Sequence, residues 1–372
     1  MKNIDRRQWL KTAGLTGSFT FLGGLSTMAM DLPLKTASSL NTVAKLNSNE
    51  NPFGPSKKVR EAITTAFDEA CRYPSGVFRS LLERIAETEG VSTDHIVITG
   101  GSTEGLKAVG LTYGLNGGEI IAADPTFQAM MTYAENFGGQ VHRVPVDAKM
   151  GHDLEAMEKR INNKTSLVFI CNPNNPTGTL LDKDVLKNFC ERTSERAMVF
   201  SDEAYYDFIT EPDYPSMVTL VKEGMNVIVS KTFSKVYGLA GMRIGYLVAR
   251  PDIAKRLQNN IMAMTNVLAI EGAKEALLDD EFYKFSILKN IEAKQAIYKT
   301  LDDLNLEYVK SHTNFVFFKT GRHIDEIMPA MKNENVLIGR PFPPFYEWAR
   351  ISTGTMDDMK LFDKGIKKVM RS

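Results

Sequence analysis

Between His95 and Ala249 the sequence alternates short apolar runs with stretches whose apolar residues recur at helical spacing, and this alternation limits the architectures open to the chain. The runs are HIVITG (95–100), EIIAAD (119–124), QVHRVPV (140–146), SLVFICN (166–172), AMVFSDE (197–203), NVIVSK (226–231) and RIGYLVA (243–249). Strand and helix in strict succession build βαβ units, whose strands lie parallel and are covered on both faces. The reading is therefore an α/β fold with a mostly parallel seven-stranded sheet. Functional groups in such a sheet gather beyond the carboxyl ends of the strands.

Around this sheet the pattern predicts a helix over Lys57 to Ala70, with Val59, Ile63, Ala66 and Phe67 on its apolar face. A second runs from Asp182 to Arg192, with a stripe of Val185, Leu186 and Phe189. The C-terminal third changes character. A long helical region, about Asp252 to Leu304, leads to the strand NFVFFK, the helix HIDEIMPAMKNE, the strands VLIGR and WARIS, and a closing helix from Met356. The expected organisation is a leader over 1–30, an arm over 31–56, a large domain over 57–250, and a long helix with a small α+β domain over 251–372.

The leader differs from the rest. Arg6-Arg7 with Trp9, Leu10 and Lys11 precede a charge-free run, rich in Gly, Ala, Leu and Phe, from Thr12 to Met30. This resembles a twin-arginine export signal cleaved near Ala29, and implies a periplasmic protein; membrane attachment is expected only if the leader is retained. Net charge is zero, and no basic stripe with interleaved aromatics recommends nucleic acid as a partner. A small-molecule substrate is the better expectation. The cysteines, Cys71, Cys171 and Cys190, do not read as a disulfide framework, and the five histidines lack metal-ligand spacing, so no metal is expected.

Chemistry concentrates at the strand ends. Lys235 lies in a polar turn after an apolar strand, within SKTFSKVYGLAGMRIGY (230–246), beside Ser230, Thr232 and Ser234 and eight residues before Arg243. A lysine acting as a nucleophile needs a low-dielectric site and a cationic neighbour, since both favour its neutral form. The hydroxyls and Arg243 describe a phosphate cradle, and a lysine beside a phosphate site is what pyridoxal phosphate requires. TGGSTEG (99–105) turns into a helix and presents Gly101, Ser102 and Thr103 as a second part of an anion site. In CNPNNPTG (171–178) the Asn175 amide is free to face a cleft, and Asp202 closes an apolar strand where a carboxylate needs a positive partner. Tyr205 can donate its hydroxyl to a ring oxygen, Phe127 can stack on a ring, and Arg350 and Arg340 can each fork onto a carboxylate.

Taken in order, LNSNENPFGPS, RYPSG, GGSTEGL, PTFQAM, NPNNPTG, SDEAY, SKTFSK with GMRIGY, and RISTGT resemble the fold-type I pyridoxal phosphate aminotransferases, and within them the histidinol-phosphate aminotransferases. The resemblance covers the chain from Leu46 onward and implies the pyridoxal-phosphate-dependent transferase fold. It also implies that Lys235 carries the cofactor and shuttles the substrate α-proton, that Asp202 pairs with the ring nitrogen, and that Tyr205 and Asn175 bind the ring oxygen. Ser102, Thr103, Thr232, Ser234 and Arg243 would hold the phosphate. Tyr73 would reach a neighbouring subunit's site in a homodimer, Arg350 would take a substrate carboxylate, and Arg340 a distal group. The implied reaction moves an amino group from an amino acid or amino-alcohol phosphate to a 2-oxo acid such as 2-oxoglutarate. Aromatic amino-acid transamination, or decarboxylation or lysis on the same fold, are the alternatives, and a non-enzymatic cofactor-binding protein is a more distant one. Two features depart from the pattern: Phe127 replaces a common tyrosine, and Pro-Phe-Pro-Pro-Phe is inserted after Arg340.

Overall fold

The computed structural model describes residues 43–371; the leader, with its expected export signal, lies outside the described residues. Each of the seven apolar runs forms a strand: β2 (Ile96–Thr99), β3 (Glu119–Asp124), β4 (Gln140–Pro145), β5 (Thr165–Cys171), β6 (Met198–Asp202), β7 (Val227–Thr232) and β8 (Gly245–Ala249). They follow β1 (Ala44–Lys45) in the chain, and β9 (Phe315–Lys319), β10 (Val336–Leu337) and β11 (Trp348–Ser352) come after them.

The large sheet has the order β2-β8-β7-β6-β5-β3-β4. Its pairs are parallel except those of β8, which runs antiparallel to both β7 and β2. The central strands are continuous apolar runs because helices cover both faces; in β5 only Ser166 escapes full burial. One core, with Val168, Ile170, Phe189 and Val229, lies on one face. A second, with Phe169, Phe200, Leu247 and Leu106, lies on the other. The topology brings the carboxyl ends of β2, β5, β6 and β7 and the amino end of β8 to one edge.

A separate core collects Ala44 and Leu46, the helix face Ala293, Ile297 and Leu301, and Val316, Phe318, Ala349, Ile351 and Phe362. Here β9 pairs antiparallel with β11, placing Arg350 opposite Phe317, and β1 pairs parallel with β10. Ala44 to Leu46 of the arm are thus held by the C-terminal strands.

Several local expectations change. The helical region 252–304 is three helices, Pro251–Gln258, Val267–Ala276 and Asp280–Asp303, and the first two pack against the large-sheet cores. Asn266 and Asp279 cap the second and third by accepting from Ala269 N–H and Phe282 N–H, which divides the region. The helix from Lys57 ends at Thr65 and tightens over Ala66–Glu69, leaving Phe67 60% exposed. In the helix Lys183–Ser194 the buried stripe is Leu186, Phe189 and Cys190, with Val185 exposed. The strand after Arg243 starts only at Gly245, because Arg243 takes a left-handed φ of 57°. No helix of the described residues is long and apolar enough to cross a membrane.

Candidate active site

A cavity of about 350 Å³ opens at this edge of the sheet, and most of the anticipated residues line it. Among them are Ser102, Thr103, Phe127, Asn175, Asp202, Tyr205, Ser234, Lys235, Arg243, Arg340 and Arg350. Three others do not. Gly101 lies just behind the wall, Thr232 is buried beneath it, and Tyr73 is 89% exposed on the surface.

Lys235 follows β7, where the chain leaves the sheet into a turn. Its Nζ donates to Asn49 O at 2.9 Å and lies 5.5 Å from the centre of the Tyr205 ring. Burial lowers its pKa to about 8, helped by the Arg350 and Arg243 charges and opposed by Glu50 and Asp202. The cationic neighbour anticipated at Arg243 is thus chiefly Arg350. Of the three hydroxyls beside the lysine, only Ser234 reaches the cavity. Ser230 is fully buried with its Oγ unpartnered, and the Thr232 hydroxyl donates to Ser234 Oγ at 3.0 Å and accepts from Ser234 N–H at 3.1 Å. Thr232 therefore orients Ser234 and does not itself face the cavity. Lys231, four residues earlier, is held elsewhere: its Nζ contacts both carboxylate oxygens of Glu89 at 3.0 Å. Although burial opposes it, the Glu203 and Glu89 charges raise its pKa.

The anion cradle is built from the turn after β2. Gly101 caps the helix Ser102–Gly114 with a φ of 84°, a conformation that glycine adopts without strain. A Cβ there would lie 2.4 Å from an Arg243 guanidinium nitrogen, so glycine also makes room for the arginine. Arg243 donates to Ala240 O at 2.8 Å and reaches Gly100 O at 3.5 Å. The helix N-terminus, two hydroxyls and a guanidinium thus converge, an arrangement suited to a phosphate.

At the same cavity, Asp202 ends β6 only 2% exposed, accepting from Ala204 N–H at 3.2 Å. Burial raises its pKa to about 7; the Ala204 N–H and Lys235 oppose this and Glu203 adds to it. Among the described residues it has no ion-pair partner, which leaves the carboxylate able to take a positive group of a bound molecule. The Tyr205 hydroxyl accepts from Asn49 Nδ2 at 2.9 Å and Asn175 Nδ2 at 3.5 Å, which leaves its own proton to donate. Burial raises its pKa. Arg350, 7% exposed, donates to Asn175 Oδ1 at 2.6 Å and Asn47 O at 3.0 Å, and its Nε has no partner. Burial lowers its pKa to about 10. Arg340 stands at the same cavity, 4.5 Å from the Phe342 ring.

The sequence reading missed Asn49. Its backbone φ is 54°, its carbonyl accepts Lys235, its amide reaches Tyr205, and Ser352 Oγ both accepts from its N–H and donates to its Oδ1. Left-handed non-glycine residues are uncommon and concentrate at functional sites. Both Asn49 and Arg243 are of this kind and both line the cavity.

The family described as aminotransferase class I and II matches residues 41–363. The chain belongs to this family. It is 37% identical over 332 residues to the histidinol-phosphate aminotransferase of Moorella thermoacetica, covering 88% of this chain and 86% of that one. It is 35% identical to that of Halalkalibacterium halodurans, covering 86% of each. Among solved structures, a putative histidinol-phosphate aminotransferase from Erwinia carotovora atroseptica has a TM-score of 0.85 at 30% identity, covering 88% of this chain and 96% of that one. The Sinorhizobium meliloti histidinol-phosphate aminotransferase in complex with pyridoxal 5'-phosphate has a TM-score of 0.82 at 26% identity, covering 88% and 91%.

The aminotransferase is pyridoxal-phosphate-dependent, and its cavity fits that cofactor: a buried carboxylate awaiting a cation, an amine of lowered pKa, and a phosphate cradle face one another. When bound, pyridoxal phosphate supplies an electron-withdrawing ring that stabilises negative charge at the substrate α-carbon. Phe127 lines the same space as an apolar ring surface; the hydroxyl of a tyrosine is absent, yet its face is available for stacking.

Proposed function

We propose that this aminotransferase takes its amino group from an amino acid or an amino-alcohol phosphate resembling histidinol phosphate, and passes it to a 2-oxo acid such as 2-oxoglutarate. The observation that carries the reading is that Arg340 and Arg350 line the same cavity as Lys235, so anionic groups and the amine meet there. Histidinol-phosphate aminotransferases among the similar proteins support the donor class. The rings of the inserted segment, Phe342 and Phe345, pack with Phe317 and Trp348 and do not line the cavity, so the insert itself adds no ring there for an aromatic donor.

In this reading Lys235 binds the cofactor, and its Nζ, partly neutral near pH 8, accepts the α-carbon proton and returns one. Asp202 would hold the ring nitrogen charged, Tyr205 and Asn175 would hold the ring oxygen, and Ser102, Thr103, Ser234 and Arg243 would hold the phosphate, with Gly101 and Thr232 shaping that cradle. Arg350 would grip a carboxylate through guanidinium N–H groups beyond those given to Asn175 and Asn47, which holds that carboxylate back from leaving and favours transfer over decarboxylation.

A homodimer is part of the same proposal, with Tyr73 reaching the neighbouring cleft. Tyr73, Phe67, Met262 and Met264 are 89%, 60%, 67% and 50% exposed, apolar side chains that a neighbouring subunit would cover. Export through the leader is also proposed; the family match begins at residue 41, after the twin arginine and the apolar run.

Incubating the purified protein with a panel of amino donors and 2-oxoglutarate tests the reaction. Glutamate should accumulate with histidinol phosphate or a close analogue. Carbon dioxide without glutamate contradicts the proposal. Sedimentation tests the dimer and cell fractionation tests export, where a cytoplasmic full-length chain is the contrary result.

A further inference from the structure

Arg340 and Arg350 lie on different segments, yet they share one aromatic ring. The guanidinium carbon of Arg340 is 4.5 Å from the centre of Phe342, and that of Arg350 is 4.8 Å from it. Two like charges repel, so a shared site for both needs a feature that attracts each, and the negative face of an aromatic ring does so.

The ring is itself firmly held. Phe342 is 3% exposed and meets Phe317 edge-on, 6.0 Å away at 89°, while Phe317 stacks on Trp348 at 5.0 Å. The backbone brings the segment onto the strand of Arg350: Gly339 N–H donates to Arg350 O at 2.8 Å. A Cβ on Gly339 would lie 2.9 Å from that oxygen and 3.4 Å from Arg350 Nε, so only glycine allows this approach.

The two arginines depend on the ring unequally. Arg350 has independent anchors at Asn175 Oδ1 and Asn47 O. Among the described residues, the hydrogen bond of Arg340 goes to the carbonyl of its own neighbour, Pro341, at 2.8 Å. Without Phe342, Arg340 loses the contact that keeps its charge over the cavity.

We propose that Phe342 is a positioning residue that determines specificity: it fixes the second guanidinium relative to the first, and so makes the cleft prefer a substrate with an anionic group at each end. The inference rests on the aminotransferase reading above and concerns its acid partner, a dicarboxylic amino or oxo acid. Phe342 touches neither substrate nor cofactor and acts through Arg340.

Binding of unreactive acids to the cofactor-loaded protein, measured by calorimetry, tests it separately from turnover. Wild type should bind glutarate, with two carboxylates, at least about tenfold more tightly than butyrate, with one, given the strength of charge-assisted contacts. Phe342→Ala should weaken glutarate about threefold to fivefold and butyrate hardly at all, as expected for loss of a cation–ring contact at an exposed guanidinium. Phe342→Tyr keeps the ring and should restore the preference. Phe345→Ala loosens the same aromatic cluster without touching either arginine, and should leave the ratio of the two affinities unchanged. The proposal is overturned if Phe342→Ala keeps the wild-type ratio, if Phe345→Ala shifts it equally, if Phe342→Tyr fails to restore it, or if wild type shows no preference. Amino transfer to 2-oxoglutarate is followed on the same preparations. Selective glutarate binding without transfer sinks the reaction and spares Phe342, whereas transfer with unselective binding sinks Phe342 alone.

Discussion

Asp202 is a carboxylate that costs the cofactor-free protein stability, and the cost follows from its surroundings. Its pKa rises from 3.8 to about 7, chiefly through burial. The native state therefore holds this proton more tightly than the unfolded chain. The resulting stabilisation is complete below pH 3.8 and is lost as pH rises through about 7. At about 1.36 kcal/mol per pKa unit, the loss across that window is roughly 4 kcal/mol. Asp202→Asn preserves the shape and has no charge to bury. Cofactor-free Asp202→Asn should thus be more stable than wild type at pH 8, by up to roughly 4 kcal/mol, and nearly equal to it at pH 4. With pyridoxal phosphate the order should reverse at pH 8, because only the carboxylate can pair with a charged ring nitrogen. Urea unfolding of both proteins at both pH values, with and without cofactor, measures this. A difference between the cofactor-free proteins that does not change with pH refutes the reasoning.

Replacing Arg350 by lysine keeps the charge but loses the fork that holds Asn175 Oδ1 and Asn47 O; kcat/KM for the amino donor should fall about a hundredfold, since charged hydrogen bonds contribute about 1.5–3 kcal/mol each. Gly101→Ala forces a side chain into a φ of 84° and against Arg243; a titration with pyridoxal phosphate should show affinity weakened at least about tenfold, consistent with the cost of such strain. Lys235, with its pKa lowered from 10.5 to about 8, should react with an acylating reagent in the cofactor-free protein with a midpoint near pH 8, followed by peptide mass spectrometry. Its lowered pKa also means that the unfolded chain binds this proton more tightly, so stability should rise between about pH 8 and pH 10.5.

The large sheet was legible because its central strands are apolar runs long enough to cross a buried layer, and because residues such as Asp202 and Lys235 stand where those runs stop. Helix ends were less legible. Asn266 and Asp279 are ordinary capping residues, but the apolar spacing across 252–304 continues through them, and periodicity alone overrode the cap signal. Phe67 and Val185 show the other weakness of periodicity: an apolar residue near a stripe need not lie in it. At the site, residues that follow their own strand were found, whereas Asn49 was not. Its bond to Lys235 spans 186 positions in sequence, and nothing local in a turn-rich arm reveals such a partner. An asparagine in a segment dense with Asn, Pro and Gly reads as turn chemistry; its left-handed backbone becomes visible only in the fold. The bonds between Thr232 and Ser234 were hidden for a related reason, since alternation along a strand end gives no indication of them.

The central claim is that Lys235, and not the ion-paired Lys231, carries the cofactor. Borohydride reduction of the loaded protein followed by peptide mapping tests it most directly, because reduction fixes the cofactor on the amine that holds it. The account predicts the cofactor mass on the peptide at Lys235, with no such mass in Lys235→Ala. A label on Lys231, or one that survives Lys235→Ala, contradicts it.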